Sequence, residues 1–493
     1  MSFNRFSRSL PTLASSVRSF WSKGGSSENI IRSGASKFPR ITTPLTDPLA
    51  GVIPELPYKA SLTPPPTEIT VLENGVKIIS EDSPGPCCSM GIYINSGSIY
   101  ENESNSGSSA LLECLAWKST KNRDTLQIMT EVEEIGANIV ANASREQMTY
   151  TIDCLKTFTP QALEILCDSV LNPKFVPEEI EDQKLRLQSI LDNKEVHVTL
   201  MNEYITRAAY EGAYGKPLIP DLAQLPKIDD SLLQSFVAER YTAPNIILTA
   251  AGVEHETLVK LAKPMLSHLA SGHVAAEEPP SKYKGGTVYM PGSNPQANLL
   301  LAFEYPGGWR DIEGAVVMTV LNYLLGGGSS FSSGGPGKGM HSRLYTRVLN
   351  QYSWCHSCQA FNSTFNQSGL VGIQGSSDPA YANNLLAVMC HQMELLAVPP
   401  NQIELERAKR ATISNICNAL ESKATSAEDI GRQFLSYGKR ISGREYVEMI
   451  EAVTAQDVAR FVTKLLGSTP SLAAFGDNTE SMSHDLLFSR YGS

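Results

Sequence analysis

The chain has 493 residues, 42% of them hydrophobic and 19% charged, and a formal net charge of -10. That length exceeds one ordinary core and calls for two domains, or two halves that each hold a core. The composition is that of a folded globular protein, no run of about 18 apolar residues is present to span a bilayer, and the acidic balance disfavours nucleic acid and favours basic partners.

The N-terminus departs from the rest. Between Met1 and Arg40 the charged residues are Arg5, Arg8, Arg18, Lys23, Glu28, Arg32, Lys37 and Arg40. Only one is acidic. Ser is abundant, and Phe3, Phe6, Leu10, Leu13 and Val17 fall on one helical face. An Arg-rich, Ser-rich, acid-poor amphipathic start is the signature of an organellar transit peptide. We assign residues 1–45 to it and to a disordered start. Residues 46–66 form a Pro-rich arm, because Pro54, Pro57, Pro64, Pro65 and Pro66 lack amide donors and fix their own φ.

The first regular signal is a hairpin: Glu68–Leu72, an Asn74-Gly75 turn, then Val76–Ser80. A strand follows over Ser89–Ile94. Helical periodicity then marks Ser108–Ser119, Thr125–Ile135, Thr159–Leu171 and Pro177–Asn193, with a further helix over Leu232–Arg240 and a strand over Asn245–Ala250. The second half repeats this order. Phe236, Pro244 and Gly252 correspond to Phe461, Pro470 and Gly476 at an offset near 225, and Gly91–Gly97 corresponds to Leu301–Gly307 at an offset near 210. A Gly-rich insert accounts for the difference. The sequence therefore predicts an α+β fold of two homologous repeats, each a mixed β-sheet packed with helices. The repeats span residues 67–269 and 286–493, joined by a polar, Pro-containing linker over 270–285.

The first-half helix reads Gly107-Ser-Ser-Ala110-Leu-Leu-Glu113-Cys114-Leu-Ala-Trp-Lys118. Inverted zinc peptidases carry H-x-x-E-H here: two His on one helical face bind the metal and the Glu is general base on the metal-bound water. This helix resembles that of the pitrilysin and processing-peptidase family in its leading Gly, its Leu-Glu and its trailing Leu-Ala-aromatic-Lys. Ala110 and Cys114 stand at the His positions, and Glu113 is retained. The third ligand, about 75 residues on, falls near Ile190 or Leu191, with Asp192 the nearest carboxylate. No His occurs from Met1 to Val196; the first is His197. The first repeat cannot supply a His₂-carboxylate site, and Glu113 reads as a leftover helix carboxylate, since without metal there is no activated water.

The nine cysteines are odd in number and imply no disulfide framework. Cys355-His356-Ser357-Cys358 is a C-x-x-C, but it has no second copy and follows a strand-like stretch rather than opening a helix. Reduced structural thiols are the default.

The most distinctive stretch is Gly326-Gly327-Gly328-Ser329-Ser330-Phe331-Ser332-Ser333-Gly334-Gly335-Pro336-Gly337-Lys338-Gly339-Met340, after the apolar helix Ala315–Leu325. Its composition predicts a mobile surface loop with exposed amides. A phosphate loop is disfavoured, because Gly339 follows Lys338 where Ser or Thr is needed and no strand directly precedes it. The segment, through Ser342-Arg343-Leu344-Tyr345, resembles the glycine-rich loop of the mitochondrial processing peptidase alpha-subunit family. So do Ala143–Asp153, Tyr241–Pro244, Gly252–Glu256, Arg347–Tyr352 and Ser426–Gln433, and the resemblance runs from about Pro64 to the C-terminus.

The resemblance implies a non-catalytic, substrate-recognising subunit, with no cofactor of its own and no catalytic or metal-binding residue. Its zinc would lie in a beta-subunit partner, and residues 326–340 would contact the basic presequences of imported precursors. It implies the matrix side of the mitochondrion, peripheral to the inner membrane, and membership of respiratory complex III as a core subunit. A purely structural core subunit is the alternative. Acidic residues suited to a basic presequence are Glu131, Glu133, Glu134, Glu178, Glu179, Glu181 and Asp182, although each taken alone reads better as part of a solvated helix face.

Overall fold

A computed structural model describes residues 65–192, 196–220, 222–271, 278–290, 294–330, 340–477 and 479. The transit-peptide assignment, nearly all of the Pro-rich arm, linker residues 272–277 and loop residues 331–339 lie outside the described residues.

The first sheet contains β1 (Glu68–Val71), β2 (Lys77–Glu81), β3 (Cys87–Ile94), β4 (Asn138–Ala143), β5 (Met148–Leu155) and β7 (Ile246–Ala251), in the order β1-β2-β7-β3-β5-β4. The second contains β9 (Gly286–Met290), β10 (Ala297–Pro306), β11 (Gly327–Ser329), β12 (Cys355–Thr364), β13 (Ser368–Ser377) and β14 (Ser471–Phe475), in the order β11-β12-β13-β10-β14-β9. Reading β2-β7-β3-β5-β4 against β9-β14-β10-β13-β12 shows the repeat. Each sheet has its single parallel pair at the same place, β2 with β7 and β9 with β14, and all other pairs are antiparallel. Between the sheets, β6 (Tyr210–Gly212) pairs with β8 (Ser281–Tyr283), so part of the segment read as a linker is a strand.

The opening hairpin forms with Glu68 opposite Ser80, and Gly75 takes the turn at φ 102. The helix expected over Ser108–Ser119 stops at Leu115 instead. Trp117 ends it by adopting φ 63, which buries its ring edge-on against Tyr150 at 6.2 Å. Filling the core offsets a backbone conformation that non-glycine residues rarely adopt.

The central strands are apolar at nearly every position because both sheet faces are covered. On β3, Cys88, Met90, Ile92 and Ile94 join a core closed by helices of their own half, including Thr159–Leu171 and His255–Leu266. Tyr93, on the opposite face, packs with Ile79 and Ile247 against Ile430 and Phe434 of the helix Lys423–Tyr437, from the other half. Contact there is close. A Cβ on Gly431 would lie 2.5 Å from the Tyr93 ring, and Thr249 Oγ1 donates to the Ala427 carbonyl at 3.0 Å.

The second sheet is covered the same way. Leu299, Leu301 and Phe303 of β10 face helices of the second half, whereas Leu300 and Ala302 face Met201, Ile205 and Ala209 of the first-half helix Met201–Ala209. Each half thus lends the other one helix. Every large apolar side chain so buried contributes about 1.5–3 kcal/mol.

Polar groups cross the same seam. Arg440 donates from Nε to Glu81 Oε1 at 2.8 Å and also bridges to Asp429. Glu146 Oε1 accepts from Tyr214 Oη at 2.9 Å and from the Asn366 amide at 2.8 Å. Burial pushes the Glu146 carboxyl up to about 7, against those two hydrogen bonds; Glu278 adds to the rise and Arg310 opposes it.

Two outcomes follow. Gly431→Val forces Cβ and Cγ atoms into the Tyr93 ring and lowers stability by about 1–3 kcal/mol, read by urea denaturation as one earlier transition. Glu146 binds its proton more tightly folded than unfolded, so its contribution is full at low pH and is lost as pH rises toward 7. Stability measured from pH 5 to 8 falls over that window and then levels, and Glu146→Gln removes this component of the slope.

Candidate functional site

The helix Ser108–Leu115 is held at its start by a buried acid. Glu101 Oε2 accepts from the Gly107 amide and Oε1 from the Ser109 amide, both at 2.7 Å. Burial raises the Glu101 carboxyl, while these two donors and the nearby Lys216 pull it back down. Lys216 Nζ also donates to the carbonyls of Ile99 and Glu101. Gly107 sits at φ 95, and a Cβ there would lie 2.4 Å from Pro220. This carboxylate satisfies helix N-terminal amides that otherwise lack partners. No general sequence pattern points to Glu101, seven residues before the first residue of the helix.

Along the helix, Ala110 is buried and offers a methyl group. Burial raises the Glu113 carboxyl, and its Oε2 accepts from the Ala143 amide at 2.9 Å, tying the helix to the end of β4. The Cys114 thiol is pushed up to about 11 by burial and by Glu113. The helix Pro177–Asp192 packs alongside, with Ile180, Gln183 and Lys184 turned inward. Ile190 and Asp192 are exposed. Zinc needs deprotonated Cys or neutral His ligands converging on one point. A methyl group, a protonated thiol and a carboxylate engaged by backbone do not fit it. Among the described residues no group of three His, Cys, Asp or Glu side chains is placed to hold a metal.

The glycine-rich segment begins as structure rather than as loop. Gly327, Gly328 and Ser329 form β11 against Gln359, Cys358 and Ser357, and the Ser330 amide donates to the His356 carbonyl at 2.7 Å. Glycine is required at the first two positions. Gly326 and Gly327 take φ 57 and 93, and a Cβ would lie 2.3 Å from Ser342 Cβ or 2.0 Å from the Cys358 carbonyl. The Gly327 amide donates to Ser342 Oγ at 3.0 Å, joining the two ends of the loop. The next residue, Arg343, is buried and grips Glu404 bidentately, Nε to Oε1 at 2.6 Å and Nη2 to Oε2 at 2.9 Å. Against burial, which raises it, Arg343, Arg347 and Arg407 hold the Glu404 carboxyl below its usual range. The clamp residues Ser342 and Glu404 were not legible beforehand, because a strand-paired loop base depends on partners far along the chain.

Beneath this base lies a cleft of about 1140 Å³ between the helices Ile312–Leu325 and Gln402–Leu420 and strand β12. Its lining is rich in carboxamides: Asn350, Gln359, Asn362 and Asn415, beside Tyr345 and Met340. Carboxamides offer donors and acceptors without selecting charge. With Glu404 held by Arg343, Arg407 is an exposed positive group on the cleft lining.

The acidic residues singled out in the sequence lie on two first-half helices, not in this cleft. Glu131 bridges to Arg123 and Glu181 to Lys184, and Glu179 accepts from Ser119 and Thr125. Glu133, Glu134, Glu178 and Asp182 are exposed. Cys355 and Cys358 open β12, both buried, across an irregularity between Cys355 and Ser357. No helix N-terminus lies there, which is what a redox C-x-x-C needs.

Comparison with known proteins agrees with this arrangement. Residues 77–221 match the profile of the insulinase family, peptidase family M16, and residues 227–412 match that of the peptidase M16 inactive domain. The mitochondrial-processing peptidase subunit alpha of Solanum tuberosum is 43% identical over 454 residues, covering 92% of this chain and 90% of its own length. A probable subunit alpha-2, chloroplastic/mitochondrial, of Arabidopsis thaliana is 39% identical over 493 residues, covering 99% and 95%. The human subunit alpha is 31% identical over 471 residues, covering 91% and 89%.

Arg343→Met removes the bidentate partner of Glu404 and leaves it the more distant Arg347, at 4.0 Å. Loss of a charge-assisted pair whose carboxylate is partly buried costs about 1–3 kcal/mol, measured as a lower urea midpoint, and Glu404→Gln restores part of it in the double variant.

Proposed function

The chain belongs to the insulinase-type peptidase family M16, among the mitochondrial-processing peptidase alpha subunits, and from that premise we propose that it recognises substrate for a catalytic partner. The observation that carries the reading is a division within one chain. The motif helix keeps its scaffold, Glu101, Gly107 and Glu113, but offers zinc no ligands. The glycine-rich loop, by contrast, keeps a base clamped by Ser342 and Arg343. A chain retained for catalysis needs the first; a chain retained for binding needs the second.

In this reading a zinc-bearing beta-type subunit removes basic presequences from imported precursors in the mitochondrial matrix, and residues 326–340 present the presequence to it. Backbone amides of a glycine-rich segment can hold an extended peptide with little regard to its side chains. The carboxamide-lined cleft receives the uncharged part of the presequence. Its Arg residues are attracted instead to the first-half helices bearing Glu133, Glu134, Glu178 and Asp182. Among the described residues no helix is long and apolar enough to cross a membrane, so attachment to the inner membrane or to complex III would run through other subunits.

The test is presequence cleavage by the beta-type partner alone, with this chain, and with a chain whose residues 331–339 are replaced by a short Gly-Ser bridge. The replacement spares β11 and the Ser342 clamp. Cleavage is expected only in the mixture, and the bridged chain should lose about tenfold or more, equivalent to roughly 1.4 kcal/mol of binding. Full activity of the partner alone, or of the bridged mixture, would leave a structural core subunit of complex III as the reading.

A further inference from the structure

The first sheet holds a pair of thiols that the function above does not use. Cys88 on β3 and Cys154 on β5 are direct cross-strand partners, and their sulfurs lie 3.6 Å apart. Two residues along the same ladder, the Lys156 amide donates to the Pro86 carbonyl at 2.8 Å. Cys88 and Cys154 therefore occupy a hydrogen-bonded pair of the antiparallel ladder, where Cα atoms stand about 5.5 Å apart. That separation lies within the range of a disulfide, whose sulfurs are about 2.05 Å apart. Closing the gap takes about 1.5 Å of sulfur movement, by side-chain rotation together with a local approach of the two strands, because a disulfide brings its Cβ atoms to about 3.5–4.5 Å and opposed ladder residues hold theirs at about 4.5–5.5 Å.

We propose that Cys88 and Cys154 are an oxidisable dithiol, converted by a hydroperoxide into a reversible disulfide between the two central strands β3 and β5.

The surroundings favour the chemistry. Cys88 Sγ lies 3.4 Å from Thr159 Oγ1, which also donates to the Lys156 carbonyl at 2.8 Å, at the first residue of the helix Thr159–Leu171, whose N-terminus stabilises a thiolate. Hydrogen bonding from Cys154 brings the Cys88 thiol down to about 7 against burial, assisted by Thr159 and by the Lys156 ammonium. Cys154, the donor, moves the other way. Both sulfurs are buried, but the pair sits at the end of the ladder, beside the loop Asp82–Pro86 and the exposed Cys87, where strand ends open most readily.

The step balances. The Cys88 thiolate attacks one peroxide oxygen, the O–O bond breaks, and the departing oxygen leaves as water, or as an alcohol from an organic hydroperoxide. Cys154 then attacks the sulfur of the Cys88 sulfenic acid, the S–O bond breaks, and a water leaves with the second thiol proton. The two thiols lose two electrons and the peroxide gains them. The helix Ser108–Leu115 and edge strand β4 lie within the loop so closed.

The test uses the full chain, treated with hydrogen peroxide, alkylated after unfolding, and mapped by non-reducing mass spectrometry. A peptide joining the Cys88 and Cys154 segments is expected, two mass units below the sum of its parts and released by dithiothreitol. It should persist in Cys87→Ser and vanish in Cys88→Ser. Because Cys88→Ser changes a core residue, Lys156→Met provides a second arm: the fold is kept and cross-linking slows severalfold. The proposal is overturned if both thiols are recovered alkylated at peroxide levels that oxidise the exposed Cys87 and Cys417, or if the cross-link runs through Cys87.

Discussion

A mixed sheet with both faces apolar needs two coats, and in this molecule neither half supplies both of its own. Tyr93 and Ile247 of the first sheet are covered by Ile430 and Phe434 from the far end of the chain, while Leu300 and Ala302 of the second are covered by Met201 and Ile205. The Arg440–Glu81 and Glu146–Asn366 contacts, and the burial of the central strands, depend on this exchange. Ion pairs across such a seam fix register more than they add stability, so the energy of the union resides in the apolar faces.

The duplicated strand order was legible because the cues are local and occur twice: a Pro before each closing strand, at 244 and 470, and a Gly after it, at 252 and 476. The motif helix was readable because its pattern is spelled by neighbours in sequence, and metal chemistry tolerates few residue types, Ala not among them. Where the sequence misled, tertiary contacts had overridden local preference. Nothing around Trp117 announces a left-handed residue; it is the Tyr150 ring beneath that makes the position favourable. The helices Met201–Ala209 and Lys423–Tyr437 were not identified from the sequence, and no local pattern says which sheet such a helix clothes. Glycines 326 and 327 looked like freedom and prove to be close packing.

The two sheets also differ at one equivalent edge. β4 ends its sheet, tied at Ala143 to Glu113, whereas its counterpart β12 is flanked by β11, the first residues of the glycine-rich segment. The same insertion that disturbs the repeat offset thus closes an open strand edge, a feature that otherwise invites unwanted pairing. At its root, through Ser330, the insertion is part of the sheet.

The borrowed helices set an order of events for a chain made or threaded from its N-terminus. The first sheet has all its strands once Ala251 has emerged, yet the helix that covers Tyr93 begins only at Lys423. At synthesis rates of 5–20 residues per second, the intervening and covering residues need roughly 10–40 s to appear. Throughout that interval one face of a completed sheet stays bare to water. Such a polypeptide is a natural client for holding chaperones, and its vulnerability ends only when nearly the whole chain is through.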